Sequence, residues 1–346
     1  MKERHVIIVG QGIAGSVLAL ELLREGKSVV VIDNPILSHC SKAAAGIYNP
    51  VVFKRLTESW LAGRSLPAML DFYSELEKKW GRQLIHPTKI ARLFSDADEE
   101  NLWKKKALNE LSDLIDPGIY PGLLNHSYGL VKQSGYVDVP AFLELCRKEL
   151  SQNNALLTET FDPAQLQIQE NGVVYKDIPA RRLIFCEGYL FKKNPWFSYL
   201  NFKPAKGEVL TIYCEQLKTD SIINKDIFIL PLGEHRFKVG ATYNWLDLSD
   251  EISPEGRALL EEKLKNILPY PFTVLKQEAG VRPATADRRP VMGLHPLHPQ
   301  LGIFNGFGTK AVLLAPFFAK HFCSFIQNKT PLWHEVDVKR FLHNLK

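Results

Sequence analysis

Four stretches of the 346-residue chain combine residue types and spacings that could do chemistry. The first is Gly10-Gln11-Gly12-Ile13-Ala14-Gly15, between an apolar run at 5–9 and a run with helical spacing at 14–24. Gly10 permits a tight turn, Gly12 lets backbone N–H groups approach a pyrophosphate, and Gly15 lets helix and strand pack closely. The phosphates would sit at the helix N-terminus, where unpaired N–H groups and the dipole favour anions. Asp33 ends the next valine-rich run, 18 residues after Gly15, placed to accept hydrogen bonds from ribose hydroxyls. GxGxxG alone is weak and also describes a plain strand–helix turn. Strand, helix and terminal acid together point to a dinucleotide. They do not choose FAD from NAD, although the acid argues against the extra phosphate of NADP.

The second stretch, 38–50, runs Ser38-His39-Cys40-Ser41-Lys42 and on through Ala43, Ala44, Ala45 and Gly46. Its small residues would let a flat ring system lie against the backbone, with Ser41 and Lys42 reaching toward the pyrophosphate. His39 and Cys40 are adjacent, which is not a metal-ligand spacing, so no metal is expected. The third stretch, 279–293, holds Arg282 in stiff backbone between Gly280-Val281 and Pro283. Its guanidinium fork suits bidentate capture of a carboxylate. A surface pair with Asp287 is the competing reading, and the sequence leaves both open. The fourth, 305–311, places Gly306 and Gly308 ahead of a helix, where N–H groups and the dipole can face an electron-rich acceptor. Thr309 is a candidate cap, and Pro316 implies a regular helix only from about Ala315.

The elements that must position these residues follow from periodicity. Strand, helix and strand at 5–9, 14–24 and 27–32 make an opening βαβ unit, with Gly26 as the helix stop. A long helix is expected over 57–80, broken near Pro67, then a strand at 88–94 and a charged helix at 97–114. Residues 135–150 turn from strand to helix, and short strands follow at 155–161, 166–169, 173–175 and 183–186. Three strand-like runs lie at 208–213, 226–231 and 236–242, the last two joined by the hairpin signal Leu232-Gly233-Glu234-His235. A helix at 254–268, strands at 272–278 and 302–305, and a helix at 312–326 complete the chain. The fold class is α/β (α+β). A discontinuous dinucleotide domain at 1–50, 130–195 and 285–346 is expected, with an antiparallel-sheet substrate domain at 51–129 and 196–284.

Lysine plus arginine (43) exceeds aspartate plus glutamate (38), a net charge of +5 without long basic runs. Lys104, Lys105 and Lys106 follow Glu99 and Glu100, an exposed mixed-charge helix face. The charge demands no nucleic acid and suits an anionic small substrate equally. Five scattered cysteines without a CxxC pair fit a reducing compartment. No run of about 18 apolar residues exists, so no membrane span is expected. The start Met1-Lys2-Glu3-Arg4 imitates a secretory leader, but Gly10, Gly12 and Gly15 interrupt the apolar stretch. A cytoplasmic enzyme is the expectation.

Taken together, the opening VGQGIAGSVLALEL, AAAGIYNPV, LIFCEG, VGATY, AGVRPATADRRPVMG and NGFGTKAVLLAP resemble the D-amino-acid oxidase/glycine oxidase-like family of FAD-dependent oxidoreductases. The resemblance covers nearly the whole chain. It implies a glutathione-reductase-type FAD-binding Rossmann-like domain with an inserted antiparallel-sheet substrate domain, and non-covalent FAD. By that resemblance Gly10, Gly12, Ile13, Ala14, Gly15, Asp33 and Asn34 hold the ADP half. Phe161 offers backbone contacts to the adenine, and Glu187 and Gly188 close the site. Ala44, Ala45 and Gly46 lie along the flavin. Gly306, Phe307, Gly308, Thr309 and Lys310 face its N1/C2=O edge, and Arg282 anchors a substrate carboxylate. One departure is Phe228, where relatives often carry a carboxylate-binding tyrosine; Tyr243 is the candidate substitute for that hydroxyl.

The activity implied is oxidation of a small amine, an amino acid or N-substituted glycine, by hydride transfer to flavin N5. Arg282, Tyr243 and Lys310 are the candidate catalytic residues. The sequence does not choose between oxygen and another electron acceptor. The alternatives are an FAD-dependent tRNA-modification oxidoreductase, an NAD-dependent dehydrogenase, and a flavin-binding scaffold without turnover. The C-terminal glycine loop disfavours the dehydrogenase, because NAD would not reach it.

Overall fold

The computed structural model describes residues 4–36 and 40–344. Ser38 and His39, which open the small-residue loop, and Met1, Lys2 and Glu3 of the leader-like start lie outside the described residues. The chain forms two units: Met1–Lys42, Val139–Ala205 and Val281–Lys346 make the first, and Ala43–Asp138 with Lys206–Gly280 the second.

The first unit is built on parallel strands in the order Leu156–Leu157, Val29–Ile32, Arg4–Val9, Ile178–Phe185 and Leu301–Asn305. Val291–Leu294 closes one side antiparallel to Leu301–Asn305. Gly172–Tyr175 and Leu166–Gln169 continue antiparallel from the start of Ile178–Phe185. Val29–Ile32 is buried at all four positions, as an unbroken apolar run must be when both sheet faces are covered. The helix Ile13–Arg24 packs on Ala311–Ile326 and Val139–Gln152. A core on the sheet gathers Ile7, Phe185, Phe197, Ile303 and Phe341. Each such side chain contributes roughly 1.5–3 kcal/mol by leaving water.

The second unit carries an eight-stranded sheet in the order Thr273–Arg282, Ala205–Tyr213, Arg236–Gly240, Phe228–Gly233, Ile222–Asn224, Ile90–Leu93, His126–Val131 and Tyr120–Leu123. Ile222–Asn224 runs parallel to Ile90–Leu93 within this otherwise antiparallel arrangement of registered pairs. Ile47–Tyr48, Gly135–Val137 and Ile85–Pro87 form a second, antiparallel sheet. The α/β class and the antiparallel sheet of the second unit, both read from the sequence, are therefore observed.

Several elements differ from their sequence patterns. The expected helix at 57–80 begins only at Ala62, because Thr57–Glu58 pairs with Val51–Val52. That helix runs through Pro67 unbroken, the proline sitting within its first two turns. The charged helix at 97–114 stops at Ala107, where the Asn109 and Leu111 amides turn back onto the Lys106 carbonyl. Pro316 does not delay the last helix, which starts at Ala311 after a 3-10 turn at Gly308–Lys310. Lys310, not Thr309, occupies the cap position, and no side chain caps it.

Candidate functional site

The glycine turn lies in the first unit, between Arg4–Val9 and Ile13–Arg24. Gly10 has φ +100°, and a Cβ there would meet the Cys186 carbonyl oxygen at 2.7 Å. A Cβ on Gly15 would meet the Gly10 carbonyl oxygen at 1.9 Å, so strand and helix touch through bare backbone. At Gly12 Ser41 Oγ is, among the described residues, the one atom within 4 Å of the same point, at 3.1 Å. Gly12 itself holds the N-cap position of the helix. The Ile13 N–H donates to Ser41 Oγ at 3.2 Å, and Lys42 Nζ donates to the Pro35 carbonyl at 2.6 Å. The result is a backbone cradle at a helix N-terminus, suited to an anion.

Asp33 follows Val29–Ile32 and is 4% exposed. Its Oδ1 accepts the Gln11 N–H at 2.9 Å, and its Oδ2 accepts Arg147 Nη1 at 2.8 Å. Arg147 also donates to Gln11 Oε1 at 3.0 Å and Thr158 Oγ1 at 3.1 Å. The sequence reading missed this arginine. It comes from the amphipathic helix Val139–Gln152, where the Arg147-Lys148 pair carries no local signal. Asn34 Nδ2 donates to Thr160 Oγ1 at 2.9 Å. Phe161 stacks on Tyr175 at 5.0 Å.

Cys186 and Glu187 follow Ile178–Phe185, beside the Gly10 turn. Burial pushes the Glu187 carboxyl up to about 7, partly opposed by the hydrogen bond from Asn194 Nδ2 at 2.8 Å. Gly188 lies at φ +55°, and its carbonyl accepts Asn305 Nδ2 at 2.9 Å. Asn305 is buried and its Oδ1 takes the Gly306 N–H at 2.8 Å, so it ties the segment after Ile178–Phe185 to the second glycine loop.

Arg282 is half-buried at the last position of Thr273–Arg282. Its charge reaches the Cys40 thiol: burial pushes that thiol up, and Arg282 partly offsets the rise. The residues after it run along the second glycine loop. Ala284 bridges Phe307, and the Thr285 methyl lies 3.0 Å from where a Gly306 Cβ would be. Lys310 ends that loop, and burial together with Arg289 and Arg288 lowers its ammonium pKa. Thr309 is exposed. Asp287 is engaged by Arg340, whose Nε donates to Oδ2 at 3.0 Å, and by the Arg289 N–H at 3.0 Å. Burial pushes the Asp287 carboxyl up, but these donors outweigh it and hold the group below its usual range.

Ala44, Ala45, Gly46 and Tyr243 belong to the second unit. Gly46 has φ +70°, and its carbonyl accepts the Val137 N–H at 3.0 Å. Phe228 packs over Gly240, its cross-strand partner. Tyr243 is 54% exposed and stacks on Trp245 at 6.0 Å. A cleft of about 620 Å³ in this unit, lined by His86, Tyr136, Lys218, His235 and Arg236 among others, contains none of the expected site residues. Among the described residues no cluster of histidine, cysteine and acidic side chains could hold a metal ion.

A family profile described as FAD dependent oxidoreductase (DAO) matches residues 5–324. The chain belongs to that family. It is 25% identical to the glycine oxidase of Bacillus licheniformis, over 91% of each chain. It is 24% identical to the tRNA 5-methylaminomethyl-2-thiouridine biosynthesis bifunctional protein MnmC of Legionella pneumophila (strain Corby), over 84% of this chain and 46% of that one. Among solved structures, iminodiacetate oxidase from Chelativorans sp. BNC1 superposes with a TM-score of 0.80 at 19% identity, covering 96% of this chain and 98% of that one. Glycine oxidase from Bacillus cereus ATCC 14579 gives 0.77 at 22%, covering 95% and 96%.

The chain is thus an FAD-dependent oxidoreductase, and its first unit fits the cofactor of the DAO family. With no Cβ at Gly12 a diphosphate can approach the helix N-terminus, and Asp33 stands at its strand end, where an acid suits a ribose diol. Among the described residues no helix is long and apolar enough to cross a membrane.

Proposed function

We propose that this enzyme oxidises a small amine bearing a carboxylate, an amino acid or N-substituted glycine. The observation that carries the reading is Arg282 at a strand end whose following residues bridge the Gly306–Lys310 loop, while the neighbouring acid Asp287 is taken by Arg340. The Arg282 fork would pair both oxygens of the substrate carboxylate and fix the α-carbon by orientation. FAD, when bound, supplies the two-electron acceptor for the α-hydrogen. The Gly306–Lys310 backbone would offer N–H groups and Lys310 a cation on the electron-rich side of the site.

Glycine oxidase and iminodiacetate oxidase, among the relatives and neighbours, support this substrate class by their names. Burial pushes the Cys40, Cys186 and Cys323 thiols up, which keeps them protonated and supports non-covalent FAD. Five free thiols support a reducing compartment such as the cytoplasm. The test is anaerobic mixing of the yellow holoenzyme with glycine, sarcosine, iminodiacetate and D-amino acids. Bleaching by one of them is expected; a flavin that none of them reduces sinks the reading. Oxygen uptake during turnover then separates an oxidase from a dehydrogenase.

A second reading, action on a carboxylate-bearing amine attached to tRNA, draws on the MnmC relatives, of which the chain spans about half. Exposed Arg288, next to Arg289 and near Lys310, would then face phosphates. Binding of tRNA that weakens steeply with salt is its signature, and no binding at low salt removes it.

A further inference from the structure

Arg340 stands near the end of the chain, in the 3-10 segment Val338–Asn344, and is only 9% exposed. Nε donates to Asp287 Oδ2 at 3.0 Å, and Nη2 lies 3.5 Å from Oδ1. Nη2 also donates to the Arg289 and Pro290 carbonyls, at 3.2 and 3.0 Å, and Nη1 to the Asp337 carbonyl at 3.2 Å. An exposed ion pair between flexible side chains would leave the backbone unconstrained. Here one planar fork grips a side chain and two successive carbonyls of the same turn.

The root of this arginine is stiff. Its guanidinium lies 4.4 Å over the ring of Phe341, which is part of the sheet core. The Met292 N–H donates to the Val336 carbonyl at 2.9 Å, and a Cβ on Gly293 would strike Val338 at 2.7 Å. The gripped turn is itself closed by Thr285 Oγ1 donating to the Arg289 carbonyl at 2.6 Å, and Arg288 sits at φ +59°. On its other side the Ala284–Phe307 bridge and the Thr285–Gly306 contact join it to the loop ending at Lys310.

We propose that Arg340 is a positioning residue for the substrate carboxylate: by holding the Asp287–Pro290 turn it sets Arg282 against the Gly306–Lys310 loop. It also neutralises Asp287, the one acid in a stretch that holds Arg282, Arg288 and Arg289. Without Arg340 the Asp287 carboxylate would lean on Arg289, which it already influences, and loosen the turn that follows Arg282. The inference rests on the assignment of Arg282 as the carboxylate anchor.

The experiment titrates holoenzyme anaerobically with glycolate, a carboxylate without an amine, and reads the perturbed flavin absorbance. Arg340→Met should weaken glycolate roughly tenfold to a hundredfold and raise KM for the amine, with kcat changed far less. FAD affinity should not change, and Arg340→Lys should recover part of the loss. In an Arg282→Met background, Arg340→Met should add nothing. Asp287→Asn, which keeps the shape of the turn, should give a smaller rise and serves if Arg340→Met does not fold. Unchanged glycolate affinity in a less heat-stable Arg340→Met enzyme overturns the proposal and leaves a structural clamp. Equal weakening with and without Arg282 overturns it as well. A wild-type enzyme whose flavin responds to neither glycolate nor any amine removes the substrate reading, and this inference with it.

Discussion

Glu187→Gln isolates one buried acid beside the glycine turn. The folded chain holds this carboxyl at about 7, against an ordinary 4.5, because burial disfavours its charge. At about 1.4 kcal/mol per unit, that difference corresponds to about 3 kcal/mol, an upper bound since the residue keeps some solvent contact. The sign follows from proton counts. Between about pH 4.5 and 7 the folded state binds more protons at Glu187 than the unfolded state does. Its contribution is therefore intact below the unfolded value, falls as pH rises through this window, and is lost above the folded value. Glutamine cannot ionise but keeps an oxygen for Asn194 Nδ2. The FAD-free variant should match the wild type near pH 4.5 and exceed it increasingly up to pH 8. Urea unfolding at a series of pH values, followed by tryptophan fluorescence, measures the difference, and changes in other groups cancel between the two proteins. A stability difference that stays constant from pH 5 to pH 8 refutes the reasoning.

Three further outcomes are expected. Gly15→Ala places a methyl 1.9 Å from the Gly10 carbonyl oxygen, so the purified variant should carry no visible flavin absorbance; normal FAD content contradicts the packing argument. Arg282→Met should raise KM for a carboxylate-bearing amine by roughly 10²-fold, the loss of a charge-assisted bidentate contact, and steady-state kinetics with an unchanged KM reject the anchor. Lys310→Met should raise the melting temperature of FAD-free protein at neutral pH, because burial, Arg289 and Arg288 all disfavour the charged ammonium there. That gain should shrink as pH rises toward the ordinary lysine range, and a melting temperature lowered at pH 7 goes against it.

The glycine turn was legible because its causes are local. Gly10 and Gly15 are needed where backbone meets backbone, and the 2.7 and 1.9 Å contacts there are the steric reasons. The fully buried Val29–Ile32 strand was legible for the same reason, as a run without alternation. Helix ends were less so. Pro67 and Pro316 both lie inside helices, each early enough to forfeit a single intrahelical hydrogen bond, whereas the sequence pattern took Pro67 as a break and Pro316 as delaying the helix start. The exposed Thr309 resembled a cap in sequence, while the chain begins its last helix through a 3-10 turn that needs none.

The two motif acids show where sequence reasoning runs out. Asp33 and Asp287 each stand inside a recognisable segment, yet neither is explained by its own neighbourhood. Asp33 is paired 114 residues away by Arg147, and Asp287 is paired 53 residues away by Arg340. For Asp287 the local candidate was Arg282, five positions upstream, but the partner observed is Arg340. A carboxylate already saturated by Arg340 and the Arg289 amide gains little from a further cation. The surroundings of the motif's acid therefore depend on a residue 53 positions away, and only the three-dimensional arrangement exposes that dependence.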